Sequence, residues 1–318
     1  MVGYMIWVFA LLQTILFVAA APLLSGLVKW LKCRLQNRRG PSILQPYRNL
    51  KKLFKKETIV ASNASIIFRF TPYLIFTITI LIGATIPLII ANSPFTNIAD
   101  IIVLIGLFAL ARFFLALSGL DIGTAFGGMG SSREMMLSAL AEPALLLAFF
   151  TLAMNAESTN LSTIIQHFIT TKQLLFSPSL LFTALGFVMI AVAETGRIPI
   201  DNPDTHLELT MIHEAMILEY SGHHLALIEW AAQIKFMIYC VLFVDLFFPF
   251  GLASSLTFNA IGISCLALLA KLFFLSCTLS IAEINLAKIR LFRAPYLLSF
   301  AFLLCLLGVI NHIILEVR

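Results

Sequence analysis

The chain of 318 residues is 60% hydrophobic and 12% charged, with a mean hydropathy of +0.98. That balance excludes an ordinary soluble enzyme and leaves room for many membrane spans, but not for a separate soluble domain of usual size. The net charge of +5 does not point to nucleic acid, because the basic residues gather in one stretch beside an apolar run.

The first span is expected at about Tyr4–Leu31. Ala19-Ala20-Ala21 resembles a cleavage site, but no basic region precedes the apolar run and the positive charges follow it, so a retained anchor is expected. From Lys29 to Arg69 the chain carries eleven Lys/Arg against the single acid Glu57. The positive-inside rule places this loop, about 32–65, in the cytoplasm and the N-terminus outside. Arg38-Arg39-Gly40-Pro41 and Leu44-Gln45-Pro46-Tyr47 within it are more specific than a merely lipid-binding basic stretch requires.

Spans two and three are expected at Ile66–Ile90 and Ile98–Leu120, the latter containing Arg112. A glycine-rich inner loop, about 121–133, follows with Asp121 and Arg133, and Glu134 just beyond. It lacks the strand and helix context of a nucleotide site, so tight backbone packing against a neighbouring subunit or the basic loop is expected. Span four, Glu134–Asn155, holds Glu142-Pro143, where proline removes a helix hydrogen bond beside an acid. Span five, Pro178–Glu194, ends on a carboxylate.

The stretch from Glu194 to Gly222 then carries six of the chain's sixteen carboxylates (Glu194, Asp201, Asp204, Glu208, Glu214, Glu219), with Arg197, His206 and His213. Pro199 and Pro203 prevent one continuous helix, and Asn202-Pro203-Asp204 reads as a helix start with a stop at Gly222. A helix from Pro203 to about Tyr220 mixes acids with apolar residues on one sector. Carboxylates lining an interior path produce that pattern, and a solvated acidic loop is the alternative. In a low-dielectric path some of these acids hold protons, which is the chemistry of a relay, and histidine suits the same role. The two histidines, two turns apart, are too distant to share a metal ion.

Spans six to eight are expected at Leu225–Phe250, Phe258–Ile281 and Pro295–Leu315, with an inner loop at about 282–294 carrying Lys288, Arg290 and Arg293. Span six holds Lys235 and Asp245, and span seven Lys271. Arg112, Glu142, Lys235 and Lys271 each lie about 12 Å from the inner end of their spans, at 1.5 Å per residue. Ionisable groups at that depth avoid lipid. Either they form a structural ion-pair cluster or they line a hydrated chamber open to the cytoplasm. Asp245 is placed near the outer face, where it can reach water. The expected fold is therefore an all-α polytopic membrane protein of about eight spans in a single membrane domain, 1–318, with both termini outside. Five scattered cysteines without a C-x-x-C pair read as apolar fillers, so neither a metal nor an iron–sulfur cluster is expected in this chain.

Three loops together resemble one family: the membrane subunit of respiratory complex I known as NADH dehydrogenase subunit 1, shared with group 4 [NiFe] hydrogenases. The matching pieces are RRGP…LQP…KKLFKKE at Arg38–Glu57, the stretch Arg112–Pro143 ending REMMLSALAEP, and the segment Glu194–Gly222. The DNPDTHLELTMIHE variant, with Asp204, His206, His213 and Glu214, looks like the hydrogenase-4 component C and formate hydrogenlyase subunit 4 branch. The resemblance implies a non-catalytic anchor and coupling subunit in the cell inner membrane. It would dock a peripheral arm of hydrogenase-like large and small subunits carrying iron–sulfur clusters and a nickel–iron centre, beside antiporter-like membrane subunits. Glu142, Glu194, Asp201, Glu208 and Glu219, with Asp204, His213 and Glu214 of the variant, would move protons, or sodium in their place, and the depth of Lys235 and Lys271 adds them to this set. Arg38, Arg39, Arg112, Asp121, Arg133 and Arg197 would serve docking and ion pairing. A quinone-chamber subunit of an NADH-quinone oxidoreductase is the alternative, with an independent ion transporter behind it. The short RRGP–LQP spacing and Tyr47-Arg48-Asn49 after LQP depart from the complex I pattern where its quinone chamber is built.

Overall fold

The computed structural model describes residues 2–89, 99–171, 177–201, 212–253 and 258–316. Its elements are α1 (Val2–Leu35), α2 (Gln45–Phe54), α3 (Ile66–Thr85), α4 (Ile101–Asp121), α5 (Ala125–Ala156), α6 (Leu161–Thr170), α7 (Pro178–Glu194), α8 (His213–Ile217), α9 (Gly222–Phe247), α10 (Phe258–Asn285) and α11 (Ala294–Asn311). Among the described residues seven helices are long and apolar enough to cross a bilayer. One span fewer than the expected eight reaches that length: α7, where the fifth span was expected, is an apolar helix of 17 residues.

The core sits where α5, α7, α9 and α11 meet, with Phe149, Phe187, Leu145, Ile238 and Leu242 fully enclosed. Lipid is as apolar as these side chains, so close van der Waals packing rather than burial from water holds the helices together. The two ends of the bundle are tied separately. At one end, Ser65 donates its backbone N–H to Asp121 (2.9 Å), and Ile59 and Ser221 exchange two hydrogen bonds (2.8 and 2.7 Å). At the other, Ile101 and Leu161 donate to the carbonyls of Thr159 and Ala99 (3.0 and 2.8 Å), and Ala253 donates to Ile89 (2.9 Å). Asp100 accepts from both Ile102 N–H and the Thr159 hydroxyl, each at 2.8 Å, so it caps α4 and pins the start of α6 at once. Asp100→Ala is expected to cost about 1 kcal/mol. The readout is a lower thermal midpoint in detergent, and an unchanged midpoint would show that Thr159 alone holds the junction.

Two of the loops expected on the inner side are shorter than expected. The glycine-rich stretch is mostly helix: only residues 122–124 separate α4 from α5, instead of about 121–133. Thr124 caps α5 through Gly127 N–H, and tertiary packing overrides the weak helix propensity of glycine. A Cβ on Gly127 would collide with the carbonyl oxygen of Gly119, and one on Gly130 would stand 3.0 Å from Ile212 O and 2.9 Å from Ala215 Cβ. These glycines let α5 pack against the end of α4 and against α8, so the expected tight contact is made within the chain, to the acidic segment. The helix expected from Pro203 to Tyr220 is seen in its described part only over His213–Ile217, and residues 218–219 form a turn. α10 runs to Asn285 and a 3-10 turn spans Leu291–Arg293, leaving little of the expected loop 282–294.

Candidate functional site

Arg112 is the hub. It points from α4 into the bundle, 5% exposed, and meets acids from two other helices. It donates to Glu142 of α5 at 2.8 Å and to Glu194, the last residue of α7. A third acid, Glu134 of α5, lies 3.8 Å from Arg112 Nε, close enough for an ion pair but too far for a hydrogen bond. Lys235 of α9 donates to the same Glu194 oxygen at 3.0 Å. Four helices thus converge on one ionic knot. Tyr239, one turn beyond Lys235, brings a buried hydroxyl that has no hydrogen-bond partner among the described residues.

Two cations facing three carboxyls leave one negative charge over when all are ionised. Glu142 differs from its neighbours because its side chain is 38% exposed on the flank of α5, in a stripe with Met135, Ala139, Leu146 and Phe150.

The first half of the acidic segment forms a second ionic layer. Arg197 binds Glu283 of α10 at 2.7 Å, with its guanidinium 3.8 Å from the centre of the Phe236 ring, and Lys32 of α1 reaches the same acid at 3.4 Å. Buried Asp201 pairs with Lys288 at 3.1 Å and accepts from Ile212 N–H at 3.4 Å, while Ile289 donates to Pro199 O at 2.8 Å. The acidic segment is therefore clamped to the turn between α10 and α11.

Two adjoining cavities link these layers. One of about 500 Å³ lies among α1, the stretch from Pro41 to Asn49, α8 and α9, and is lined by Lys29, Arg197, Asp201, His213, Glu214, Glu229 and Gln233. The other, about 100 Å³, reaches Arg112, Glu134, Glu194 and Lys235. Thr195, Gly196, Asp201 and His213 border both. The shared lining places the two cavities side by side between the basic end and the ionic knot.

The structure gathers Arg112, Glu142, Glu194 and Lys235, and places Asp201, Arg197, His213 and Glu214 along the adjoining cavities. Asp204 and Glu208, with His206, lie outside the described residues. Glu219 is exposed and lines neither cavity. Arg38 and Arg39 are exposed at their turn, Arg133 is half-buried, and Asp121 anchors the start of α3.

Lys271 does not join the layer at which its depth placed it. Its ammonium binds Phe248 O at 2.6 Å and also Phe250 O, because the chain leaving α9 turns back toward α10. Asp245 does not reach water either: it is 1% exposed, and one oxygen lacks a hydrogen-bond partner among the described residues.

Sequence reasoning missed Glu134, Glu229, Glu283 and Lys32. Each sits near a predicted span boundary, where a charge reads as ordinary flanking polarity. Their signal was the need of Arg112 and Arg197 for partners inside a membrane. Among the described residues no group of three or more His, Cys, Asp and Glu could hold a metal ion.

Residues 7–315 match the family described as NADH dehydrogenase. Hydrogenase-4 component C of Escherichia coli (strain K12) is 37% identical over 288 residues, covering 91% of this chain and 90% of that protein. Formate hydrogenlyase subunit 4 of the same organism is 33% identical over 302 residues, covering 93% and 96%. A chain in the structure of the membrane-bound sulfane sulfur reductase, an archaeal respiratory membrane complex, superposes with a TM-score of 0.76 at 18% identity, covering 96% of this chain and 98% of that one. At that identity it supports the fold alone.

Proposed function

The chain belongs to the NADH dehydrogenase family, and we propose that it is a non-catalytic anchor and coupling subunit of a complex I-related, hydrogenase-type oxidoreductase. The observation that carries this reading is the ionic knot at Arg112, joined by a polar cavity to the acidic segment at the basic end of the bundle. In this reading the basic end faces the cytoplasm, in the inner membrane of the cell, and both termini face outward. Partner subunits with iron–sulfur clusters and a nickel–iron centre dock there and keep the electrons. A charge change in the docked arm biases the protonation of His213, Glu214 and the adjoining acids. Because Glu194 is paired with Arg112 and Lys235, and through Arg112 with Glu142, the change passes into the membrane as a proton, or as sodium in its place.

The exposed flank of Glu142 supports onward transfer to a membrane partner. A carboxylate at mid-span is too costly to leave facing lipid, so the stripe from Met135 to Phe150 suits cover by an antiporter-like subunit. The larger cavity favours this reading over a quinone chamber. Its lysine, arginine, aspartate and two glutamates suit water and protons better than an apolar quinone tail.

Glu194→Gln tests the proposal. It keeps the shape and an acceptor for Arg112 but removes the shared charge. Coupled proton movement by the intact complex in proteoliposomes is expected to fall at least about tenfold, while assembly and electron transfer by the docked arm persist. Undiminished proton movement would reject the relay.

A further inference from the structure

We propose that Tyr220 and Trp230 are positioning residues: they occupy two backbone carbonyls that prolines leave free, and so set the depth and rotation of α9 and the placement of Lys235 at Glu194. The inference rests on the coupling reading above and adds to it the parts that hold the geometry.

Pro22 lies inside α1 and Pro72 inside α3. Proline has no N–H, so the carbonyl four residues earlier loses its helical partner. Those carbonyls belong to Val18 and Phe68, and within a membrane bundle neither can remain unsatisfied cheaply. Both partners come from one place. Trp230 of α9 donates its indole N–H to Val18 O at 3.1 Å, and Tyr220, two residues before α9, donates its hydroxyl to Phe68 O at 3.0 Å. The Tyr220 ring also stacks on Phe68, with centroids 3.9 Å apart and planes 7° from parallel.

Two anchors ten residues apart, on two different helices, restrict both sliding and rotation of α9. Lys235 lies about 7 Å further along the same helix, so its ammonium inherits that placement. Burial pushes the Tyr220 hydroxyl above the ordinary phenol range, which keeps it a donor at physiological pH.

The anchors also connect outward. Ser221, beside Tyr220, is hydrogen-bonded twice to Ile59, and His223 Nδ1 lies 3.1 Å from the Thr58 hydroxyl. A displacement of the basic stretch therefore reaches α9 directly, and α9 carries it to Lys235.

The test uses the intact complex in proteoliposomes. Tyr220→Phe preserves the ring stack and removes only the donor; Trp230→Phe removes only the indole donor and part of the ring. Each is expected to lower proton movement per turnover about threefold or more, since small misplacements of reacting groups are costly. Adding Pro72→Ala to Tyr220→Phe supplies a new N–H to Phe68 O. Thermal stability should then recover while proton movement stays low, because the link to α9 is still missing. Recovery of both together would show that Tyr220 merely fills a carbonyl and would overturn the proposal, as would normal proton movement in Tyr220→Phe alone. Glu194→Gln in the same assay separates the two ideas. Normal movement in that variant removes the coupling reading, whereas loss there with normal movement in Tyr220→Phe removes only this inference.

Discussion

Replacing Arg112 by leucine is expected to produce the largest loss of any single change in this chain. Leucine fits the space in the bundle, but Glu194 and Glu142 lose their hydrogen-bonded cation and Glu134 its nearest positive charge. Lys235 remains and can compensate only Glu194. Breaking a buried pair from one side costs about 3–5 kcal/mol, because the partner is left charged and dry. A membrane subunit of ordinary stability does not absorb that easily. Little of the variant should therefore accumulate in membranes, and what does should melt well below the parent in detergent. Arg112→Lys keeps the charge but has one ammonium where the guanidinium fork served two carboxylates at once, so it should assemble and couple poorly. Normal accumulation and melting of Arg112→Leu would mean that the acids are neutral in the folded chain and that the knot is not ionic.

The second large effect is expected at Gly130. A valine there would press its Cβ into Ile212 O and Ala215, and a backbone oxygen cannot swing aside as a side chain can. α8 must lift from α5. Overpacking of this kind costs about 1–3 kcal/mol, but the functional consequence should be greater than the energetic one. Ile212 and His213 wall the smaller cavity, and Ile212 N–H holds Asp201. With α8 displaced, the smaller cavity is opened to its surroundings while the knot at Arg112 stays intact. Faster proteolysis within the acidic segment and loss of coupled proton movement, with the complex still assembled, are the expected results. Unchanged proteolysis would show that α8 is held by contacts other than this one.

The spans were legible because length and apolarity alone determine what crosses a bilayer, and the depth of Arg112, Glu142 and Lys235 followed from a constant helical rise. The same arithmetic failed for Lys271. Depth says nothing about direction, and the chain after α9 turns back to offer its carbonyls where no periodicity announces it. Glu194 read as a coupling acid that closes a span, without its partners; α7 is short enough to end within reach of Arg112, and that makes it the node. The glycine run read as a loop because propensity was weighed without its packing partners, the end of α4 and α8. The roles of Tyr220 and Trp230 were written in the sequence only through Pro22 and Pro72. A proline inside a span announces a free carbonyl but not which distant donor will fill it.

The paired hydrogen bonds between Ile59 and Ser221 have a practical consequence for exchanging parts between relatives. The stretch closing the basic loop and the turn that opens α9 meet as a single seam, with Thr58 beside His223 and Ile59 beside Ser221. A hybrid that imports one side of the seam alone would set foreign side chains against native ones at four adjoining positions. Its failure would then report on the mismatch, not on the imported loop. Hybrids that carry residues 33–60 and 213–230 as one cassette keep the seam self-consistent, and they are the ones whose activity can be assigned to the transplanted surface.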